Sequence, residues 1–481
     1  SAVFATLLAL ASAAPAVSKH GGAVGKLQHN SSDEDHQHLN DDDAGTGDDV
    51  DDPEDMQDHI DDDDMLMKMI AEHDKMHTHG EISMFATNPK RWHEMKGVTA
   101  LPAGSSLPPR LFNQPLNLGR ILVVYVTYPA GNEAPVRTAQ QVRDMVSATP
   151  GLADVFSFSS WGQTNLAASD WEVFEMQSTT STQSWNTLGA TVDGVRNQAA
   201  YQTRYGQFQP NYVMIIQPGT TFSATGYIGP LTQPSMAWTR QRGDSIVWQT
   251  MVHELGHNLG LSHAGGMTSS GSYQQYQDDA LMGYQRSSRI GDFNVVSRWK
   301  LGWIPSSEVV SYPATTFTTM RALNEGVHND GAHLLYTAAC PFCVSRAQSG
   351  ATGGHIYVSL RVADPSARYG VSNEVNIRDI TESARLVMED RIHIHFQRDG
   401  GRKTEIWSTL AANTEYTVPG STASGGALYI RACGFSLGGA TETAVVAIGS
   451  SPGPSCTGNP APPPSPPASP PPPSSPPPPP S

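Results

Sequence analysis

The chain of 481 residues contains few cysteines, and none of them precedes residue 340. The four cysteines are Cys340, Cys343, Cys433 and Cys456, so no thiol is available in the first two thirds of the chain. The Cys340-Pro341-Phe342-Cys343 motif lacks a matching second CxxC, which makes a structural zinc site a weak interpretation. In an oxidising compartment, four cysteines predict two disulfides, and three pairings remain open.

Long apolar runs are missing after the first 14 residues. That first stretch, SAVFATLLALASAA, ends in the small-x-small pattern of a signal-peptide cleavage site, so residues 1–14 are predicted to direct secretion. Because the sequence begins without Met and without a basic segment, we expect its N-terminus to be incomplete. No other run approaches the roughly 20 apolar residues of a transmembrane helix, and we expect no membrane span.

Lysine and arginine are absent from residues 33–64, which hold 17 acidic residues. Because the whole chain has a formal net charge of -16, these 17 acidic residues account for all of the net negative charge, and the remainder of the chain is close to neutral. We expect no nucleic-acid partner. Such a run cannot bury enough apolar surface to fold, so residues 15–112 are predicted to be an acidic, largely disordered pro-segment. A calcium- or matrix-binding tract is the alternative. Asn30-Ser31-Ser32 is an N-glycosylation sequon within it.

The C-terminal residues 457–481 form a tail rich in proline and serine, with 15 prolines among residues 460–481. This composition favours an extended polyproline II rod over a packed core. Ser-Pro-Pro tracts resemble the hydroxyproline-rich glycoproteins of algal and plant walls. We interpret the tail as a wall or matrix anchor, and a plain spacer is the alternative.

Residues 253–263 have the form HExxHxxGxxH and carry the most specific chemical signal in the chain. On a helix, His253 and His257 lie on one face, and Glu254 is one position round, where it can act on a water molecule without ligating the metal. Gly260 can adopt a left-handed conformation that ends the helix and brings His263 back as a third ligand. Three protein ligands leave one coordination position open, as in catalytic zinc sites.

The residues leading into this run support a buried helix. Apolar residues at 247, 248, 251, 252, 255 and 259 mark one buried face at helical spacing. A histidine-bearing surface helix, in a chain with 17 histidines, is the structural alternative.

The motif resembles the metzincin clan of zinc endopeptidases, whose third histidine follows a glycine turn. The resemblance implies a methionine turn beneath the metal, for which Met282 in Ala280-Leu281-Met282-Gly283 is the candidate. Tyr284 matches the position where astacin-like and serralysin-like members keep a tyrosine that contacts the metal or the oxyanion. An ordinary core methionine is the alternative reading of Met282.

Within the clan, the chain is most similar to the gametolysin family of extracellular matrix metalloproteinases of volvocine algae. The matching pieces are the zinc run, the Leu-Met-Gly turn, residues 298–304 (RWKLGWI) and residues 428–433 (LYIRAC). The likeness covers roughly residues 118–450. Some relatives carry Gln at the first histidine and are thought to prefer copper, whereas His253 favours zinc.

The pattern along the chain predicts an α/β catalytic domain of metzincin type over residues 113–305, a mixed twisted sheet with a long zinc-binding helix. Residues 120–128 and 212–217 are predicted strands, and residues 136–148 and 187–203 are predicted helices. The resemblance places the strand that pairs with extended substrate near residues 226–239, and a β-hairpin is an equally good reading of this segment. Short alternating runs, such as residues 354–361, predict an all-β C-terminal domain over residues 306–456.

His393 and His395 alternate on one strand, which favours a solvated strand face over a second metal site. Latency of a zymogen cannot depend on an upstream cysteine. A carboxylate of the acidic tract, or one of His73, His77 and His79, is the hypothesis for blocking the metal. Processing is expected after Lys90-Arg91 or near Arg110.

These features predict a secreted zinc metalloendopeptidase, monomeric in its catalytic unit, that acts on glycoproteins of an extracellular matrix or cell wall. Zinc would activate water, Glu254 would act as general base, and Tyr284 could assist the oxyanion. A structural wall glycoprotein with an inactive peptidase fold is the alternative. The presence of Glu254 with all three histidines favours the enzyme.

Overall fold

The computed structural model describes a subset of the chain, and every statement below concerns these residues. They are 107–112, 114–128, 138–178, 194–219, 223–226, 235–242, 248–267, 273–274, 278, 280–283, 292–347, 352–362, 389–399, 403–418, 426–439 and 441–457. The predicted signal peptide, almost all of the pro-segment, Tyr284 and nearly the whole Pro-rich tail lie outside them. No helix among the described residues is long and apolar enough to cross a membrane.

The first sheet has five strands in the order β2-β1-β3-β5-β4. The strands are β1 (Ile121–Thr127), β2 (Trp171–Gln177), β3 (Tyr212–Gly219), β4 (Ser223–Gly226) and β5 (Ser235–Arg242). Neighbouring strands are parallel, except that β4 runs antiparallel to β5. Strand β1 lies between β2 and β3 and is almost wholly buried, which explains why its sequence is continuously apolar rather than alternating. The predicted strands at 120–128 and 212–217 are confirmed.

Besides a short helical segment at 194–196 and a 3-10 helix at Ser306–Glu308, the described residues include five longer α-helices. They are α1 (Ala139–Ser147), α2 (Leu152–Ser159), α3 (Ala199–Phe208), α4 (Trp248–Asn258) and α5 (Val295–Lys300). Helix α1 confirms the prediction for residues 136–148, and it begins at a capping box in which Thr138 and Gln141 satisfy each other's backbone N–H groups. Of the predicted helix at 187–203, residues 187–193 lie outside the described part of the chain. Residues 194–196 are helical, but the chain turns at 197–198 and α3 then runs on past residue 203 to a left-handed cap at Gln209, so a single continuous helix ending at 203 was wrong.

Helix α4 carries the first part of the HExxHxxGxxH run and is buried on every side. The expectation of a single buried face was too narrow. The helix packs against β3, β4, β5 and α2, and the apolar residues it buries join the core of the first sheet. Its polar residues are therefore held inside the protein, where they need specific partners or a function.

The second sheet has seven strands in the order β7-β6-β13-β12-β11-β10-β8. They are β6 (Ala264–Met267), β7 (Tyr273–Gln274), β8 (Val309–Tyr312), β10 (Leu335–Ala339), β11 (Gly354–Arg361), β12 (Arg391–Arg398) and β13 (Thr404–Leu410). Strand β6 begins directly after His263 and pairs in parallel with β13. A sheet therefore crosses the predicted boundary at residue 305, and an independent all-β domain over 306–456 stays a prediction.

A third sheet of four strands, in the order β14-β15-β16-β9, packs on the second. Its strands are β14 (Thr414–Thr417), β15 (Tyr429–Ser436), β16 (Thr443–Gly449) and β9 (Phe317–Arg321). One apolar core contains residues of both sheets, including Ile394 and Val446. The prediction of two disulfides is confirmed, with the pairing Cys340–Cys343 and Cys433–Cys456.

Candidate metal centre

The three histidines of the motif meet at the C-terminal end of α4. His253 and His257 lie one helical turn apart, and the chain then reverses at Gly260, which has φ 88°. The N–H of Leu261 donates to the carbonyl of Gly256 at 3.0 Å and closes this turn. As a result, ligand nitrogens of His253, His257 and His263 all lie within 4.8 Å of one another.

Backbone carbonyls orient two of these rings. Nδ1–H of His253 donates to the carbonyl of Leu281 at 2.7 Å, and Nδ1–H of His257 donates to the carbonyl of Leu261 at 2.9 Å. A ring held in this way through Nδ1 is suited to bind a metal through Nε2. Burial, together with a smaller contribution from the nearby His257, lowers the pKa of His253 to about 3, so the ring is neutral, as a ligand must be. The donor set fits zinc.

Glu254 lies beside these rings with its carboxylate buried. Its Oε2 has no hydrogen-bond partner among the described residues, and burial raises the pKa of this group to about 8. A buried carboxylate without a partner is unfavourable for stability, and such groups in native proteins call for a functional reason. The arrangement leaves an acid–base group next to a metal site with an open position.

Met282 lies directly beneath α4 and is fully buried. A Cβ placed on Gly256 would lie 2.4 Å from the Met282 sulfur, so the absence of a side chain at position 256 permits this contact. We call residues 280–283 the methionine turn. It closes on itself through a bond from Gly283 N–H to the Ala280 carbonyl, and the Met282 carbonyl accepts from Ala264 N–H at 2.7 Å. The turn therefore holds both α4 and the strand that follows His263.

Gly256→Ala tests this close contact. Alanine normally stabilises a helix interior by up to about 1 kcal/mol relative to glycine. At position 256 the added methyl group would displace Met282, so we expect a lower unfolding temperature and weaker zinc binding, both measurable by thermal unfolding with and without zinc. Gly206→Ala in α3 is the control, because nothing lies within 4 Å of its added Cβ. Equal stabilisation by both substitutions would show that Met282 moves aside without cost.

The remaining predicted site features have different outcomes. The role of Tyr284 stays a prediction, since this residue lies outside the described part of the chain. In the segment before α4, strand β4 forms one edge of the first sheet and runs antiparallel to β5, so both the edge-strand and the antiparallel-pair readings of this region fit.

The interpretation of His393 and His395 as a solvated face was wrong. Both side chains are fully buried, because β12 lies in the middle of the second sheet and its faces are covered. Nε2–H of His395 donates to Oδ2 of Asp278 at 3.0 Å. The contact between Asp278 and His395 was not anticipated from the sequence. The available signal was the presence of an acidic residue just upstream of the methionine turn.

A site of three histidines, two of them on a buried helix that packs against a mixed sheet, with a glutamate beside them, is that of a metal-dependent hydrolase. A family model described as gametolysin peptidase M11 matches residues 120–379, which is 260 of the 481 residues and includes the entire motif. The chain belongs to the gametolysin peptidase M11 family and is a metallopeptidase. The resemblance inferred from the motif is thereby confirmed.

Comparisons with curated proteins and with solved structures do not extend this family assignment. No curated protein matches the chain. Two solved structures align at low similarity. A structure titled as a chaperone-substrate complex has 15% identity and a TM-score of 0.23, and the alignment covers 40% of this chain and 38% of that one. OgpA from Akkermansia muciniphila has 12% identity and a TM-score of 0.25, with 72% and 96% coverage.

Proposed function

We propose that the protein is a secreted zinc endopeptidase that hydrolyses peptide bonds in proline-rich glycoproteins of an extracellular matrix or cell wall. The observation that carries this proposal is the convergence of His253, His257 and His263 beside the buried Glu254, whose Oε2 has no hydrogen-bond partner among the described residues. The ligand set of three imidazoles favours zinc, and copper is the less favoured alternative.

The chemistry follows from the positions of these residues. When bound, zinc lowers the pKa of water towards neutrality and polarises the substrate carbonyl. Beside the positive charge of bound zinc, the raised pKa of Glu254 falls again, so that its carboxylate accepts the proton of the attacking water and then donates it to the leaving amine. Because Oε2 of Glu254 is buried and has no hydrogen-bond partner among the described residues, no protein hydrogen bond to this oxygen must be broken before it accepts a proton. The hydrogen bonds from Nδ1 of His253 and His257 keep the ligand rings fixed during turnover.

Substrate backbone is expected to pair along the edge of the first sheet. Strand β4 has β5 on one side and no strand on the other among the described residues, and it packs near α4. Pairing of an extended peptide with such an edge gives affinity through main-chain hydrogen bonds and leaves sequence preference to side-chain pockets. The preference for proline-rich wall glycoproteins, and the extracellular location, are proposed from the predicted signal peptide and the Pro-rich tail.

A purely structural role is less well supported. A wall protein that only binds would gain nothing from burying an unpartnered carboxylate next to three histidines, and this burial lowers stability. The intact Glu254 therefore favours catalysis.

Removal and return of the metal test the proposal. Purified, processed protein should contain about one zinc per chain, as expected for a site with three protein ligands. A strong chelator should stop hydrolysis of a proline-rich wall glycoprotein, and added zinc should restore it. Metal content by mass spectrometry and product analysis by electrophoresis measure the two quantities.

An unrelated unfolded protein of ordinary proline content is the control substrate. Faster cleavage of the control would contradict the proposed substrate class while leaving the peptidase activity intact. Hydrolysis that persists in a metal-free sample would contradict the zinc mechanism itself.

A further inference from the structure

Asp278 lies two residues before the methionine turn, and its side chain is fully buried. Both carboxylate oxygens are used. Oδ1 accepts from Ala280 N–H at 3.2 Å, and Oδ2 accepts from Asn294 at 2.8 Å and from His395 at 3.0 Å. One carboxylate thus joins the start of the turn, the N-cap of α5 and the second sheet.

His395 reaches Asp278 across 117 residues of sequence. It lies on β12, where it is opposite Tyr357 of β11 and Ile406 of β13, and its side chain is fully buried. Burial alone would raise the pKa of Asp278, but the charge of His395 and the hydrogen bonds from His395 and Asn294 lower it well below its ordinary value, with a smaller contribution from His393. The contact is therefore a charge-assisted bond inside the protein.

The turn that Asp278 anchors holds the first metal ligand in place. Asp278 binds the N–H of Ala280, and the next residue, Leu281, supplies the carbonyl that accepts from His253 Nδ1–H. A shift of the Asp278 carboxylate would therefore move the carbonyl that orients the ring of His253. The two hydrogen bonds involve consecutive residues, Ala280 and Leu281, so a displacement of the first is passed directly to the second.

Two further strands of the second sheet contact the same region. The N–H of Thr404 on β13 donates to the carbonyl of His263 at 3.3 Å. Arg361 on β11 pairs with Asp292 at 2.7 Å, and the backbone carbonyl of Asp292 accepts from Leu281 N–H at 3.0 Å. Strands β11, β12 and β13 are neighbours, so three adjacent strands of the second sheet contact residues that hold the metal ligands or the methionine turn.

We propose that Asp278 and His395 are a positioning pair for the metal centre, through which the second sheet fixes the methionine turn and the orientation of His253. The inference rests on the proposed function, because it assumes that the three histidines hold zinc. Neither residue touches the metal or the substrate. Their effect is transmitted through the Ala280–Leu281 backbone.

The test uses Asp278→Asn and His395→Gln in the full chain. Each variant keeps a polar side chain of similar size. Asp278→Asn removes the carboxylate charge, and His395→Gln removes the imidazole that donates to it. Loss of partners behind metal ligands typically weakens metal binding by about 10-fold to 100-fold. We expect zinc to pass to a competing chelator faster by a similar factor. With cobalt in place of zinc, the visible absorption spectrum should change, because it reports the geometry of the ligands.

Glu308→Gln is the matched control. Glu308 is a buried carboxylate that pairs with the fully buried Arg321 at 3.2 Å, but the hydrogen bonds described for this pair do not lead to the methionine turn. The substitution should lower stability, while the rate of zinc release and the cobalt spectrum remain as in the wild type. A general loss of stability and a specific loss of positioning are thereby separated.

The double variant, with both substitutions, should release zinc no faster than the weaker-binding single variant, because the two residues act through one bond. Wild-type release rates and spectra in both single variants would overturn the proposal, as would an equal change in the Glu308→Gln protein. The proposal would also be overturned if both single variants failed to fold without metal while the Glu308→Gln protein folded. In that case Asp278 and His395 would serve folding alone. If the wild-type protein binds zinc but cleaves no peptide, the proposed function is refuted. The zinc-release rates and cobalt spectra of the variants can still be compared with those of the wild type in that case.

Discussion

Replacement of Glu254 by glutamine should abolish peptide hydrolysis and leave zinc bound. Glutamine has nearly the same shape but cannot accept the proton of the attacking water. General acid–base catalysis contributes about 10²-fold to 10⁴-fold to enzymatic rates, and kcat should fall by at least this factor. Since Glu254 is buried with an unpartnered Oε2, the neutral side chain should not lower the unfolding temperature. Peptide kinetics, metal analysis and thermal unfolding measure the three outcomes.

His257→Asn is the companion variant, because it removes a ligand rather than the base. It should lose both the metal and the activity, and its unfolding temperature should no longer rise when zinc is added. The two variants thus fail in different ways if the roles are assigned correctly. Hydrolysis at the wild-type rate by the Glu254→Gln protein would refute the role of Glu254 as general base.

Among the substitutions proposed, Asp292→Ala should cause the largest decrease in the free energy of unfolding. The Asp292 carboxylate pairs with two buried guanidinium groups, those of Arg298 on α5 and Arg361 on β11. Burial lowers the pKa of Arg298 to about 10, opposed by the charge of Asp292, so this side chain stays charged at neutral pH. Removal of one partner from a buried pair leaves uncompensated charge and costs about 3 to 5 kcal/mol. Urea denaturation of the zinc-loaded protein measures the change in the free energy of unfolding.

Glu172→Ala is the control for this prediction. It breaks an ion pair of the same chemical kind with Arg204, but these side chains are 22% and 40% exposed. Surface pairs contribute about 0 to 1 kcal/mol, so the free energy of unfolding should change little. Similar losses from the two substitutions would mean that Asp292 is not the electrostatic link between α5 and β11 that its contacts indicate.

The local features of the site were predictable from the sequence. The spacing of His253, Glu254 and His257 requires only the helical repeat, and the reversal at Gly260 requires only a residue that tolerates positive φ. Strands β1 and β11 were equally clear, since a run of β-branched residues and a run of alternating polarity are each properties of a few consecutive residues. Such patterns depend on neighbours in the chain and can be read without knowing the fold.

Interactions between distant residues were not predictable in the same way. An alternating Ile-His-Ile-His run is compatible with a strand whose histidines face water or with one covered on both sides, and only the position of β12 inside its sheet decides between them. The same holds for α4, whose polar residues are buried because structure packs on every side of the helix. Local polarity does not specify how many faces of an element will be covered.

By itself, the sequence determined the chemistry of the protein: which side chains can bind a metal, which can move a proton, and where the chain turns to bring them together. The tertiary structure decided what holds these groups in position. Asp278 meets His395, and β6 meets β13, across more than 100 residues, because burial of two sheet faces brings these segments together. Partners of this kind are selected by packing of the whole chain, and no short motif encodes them.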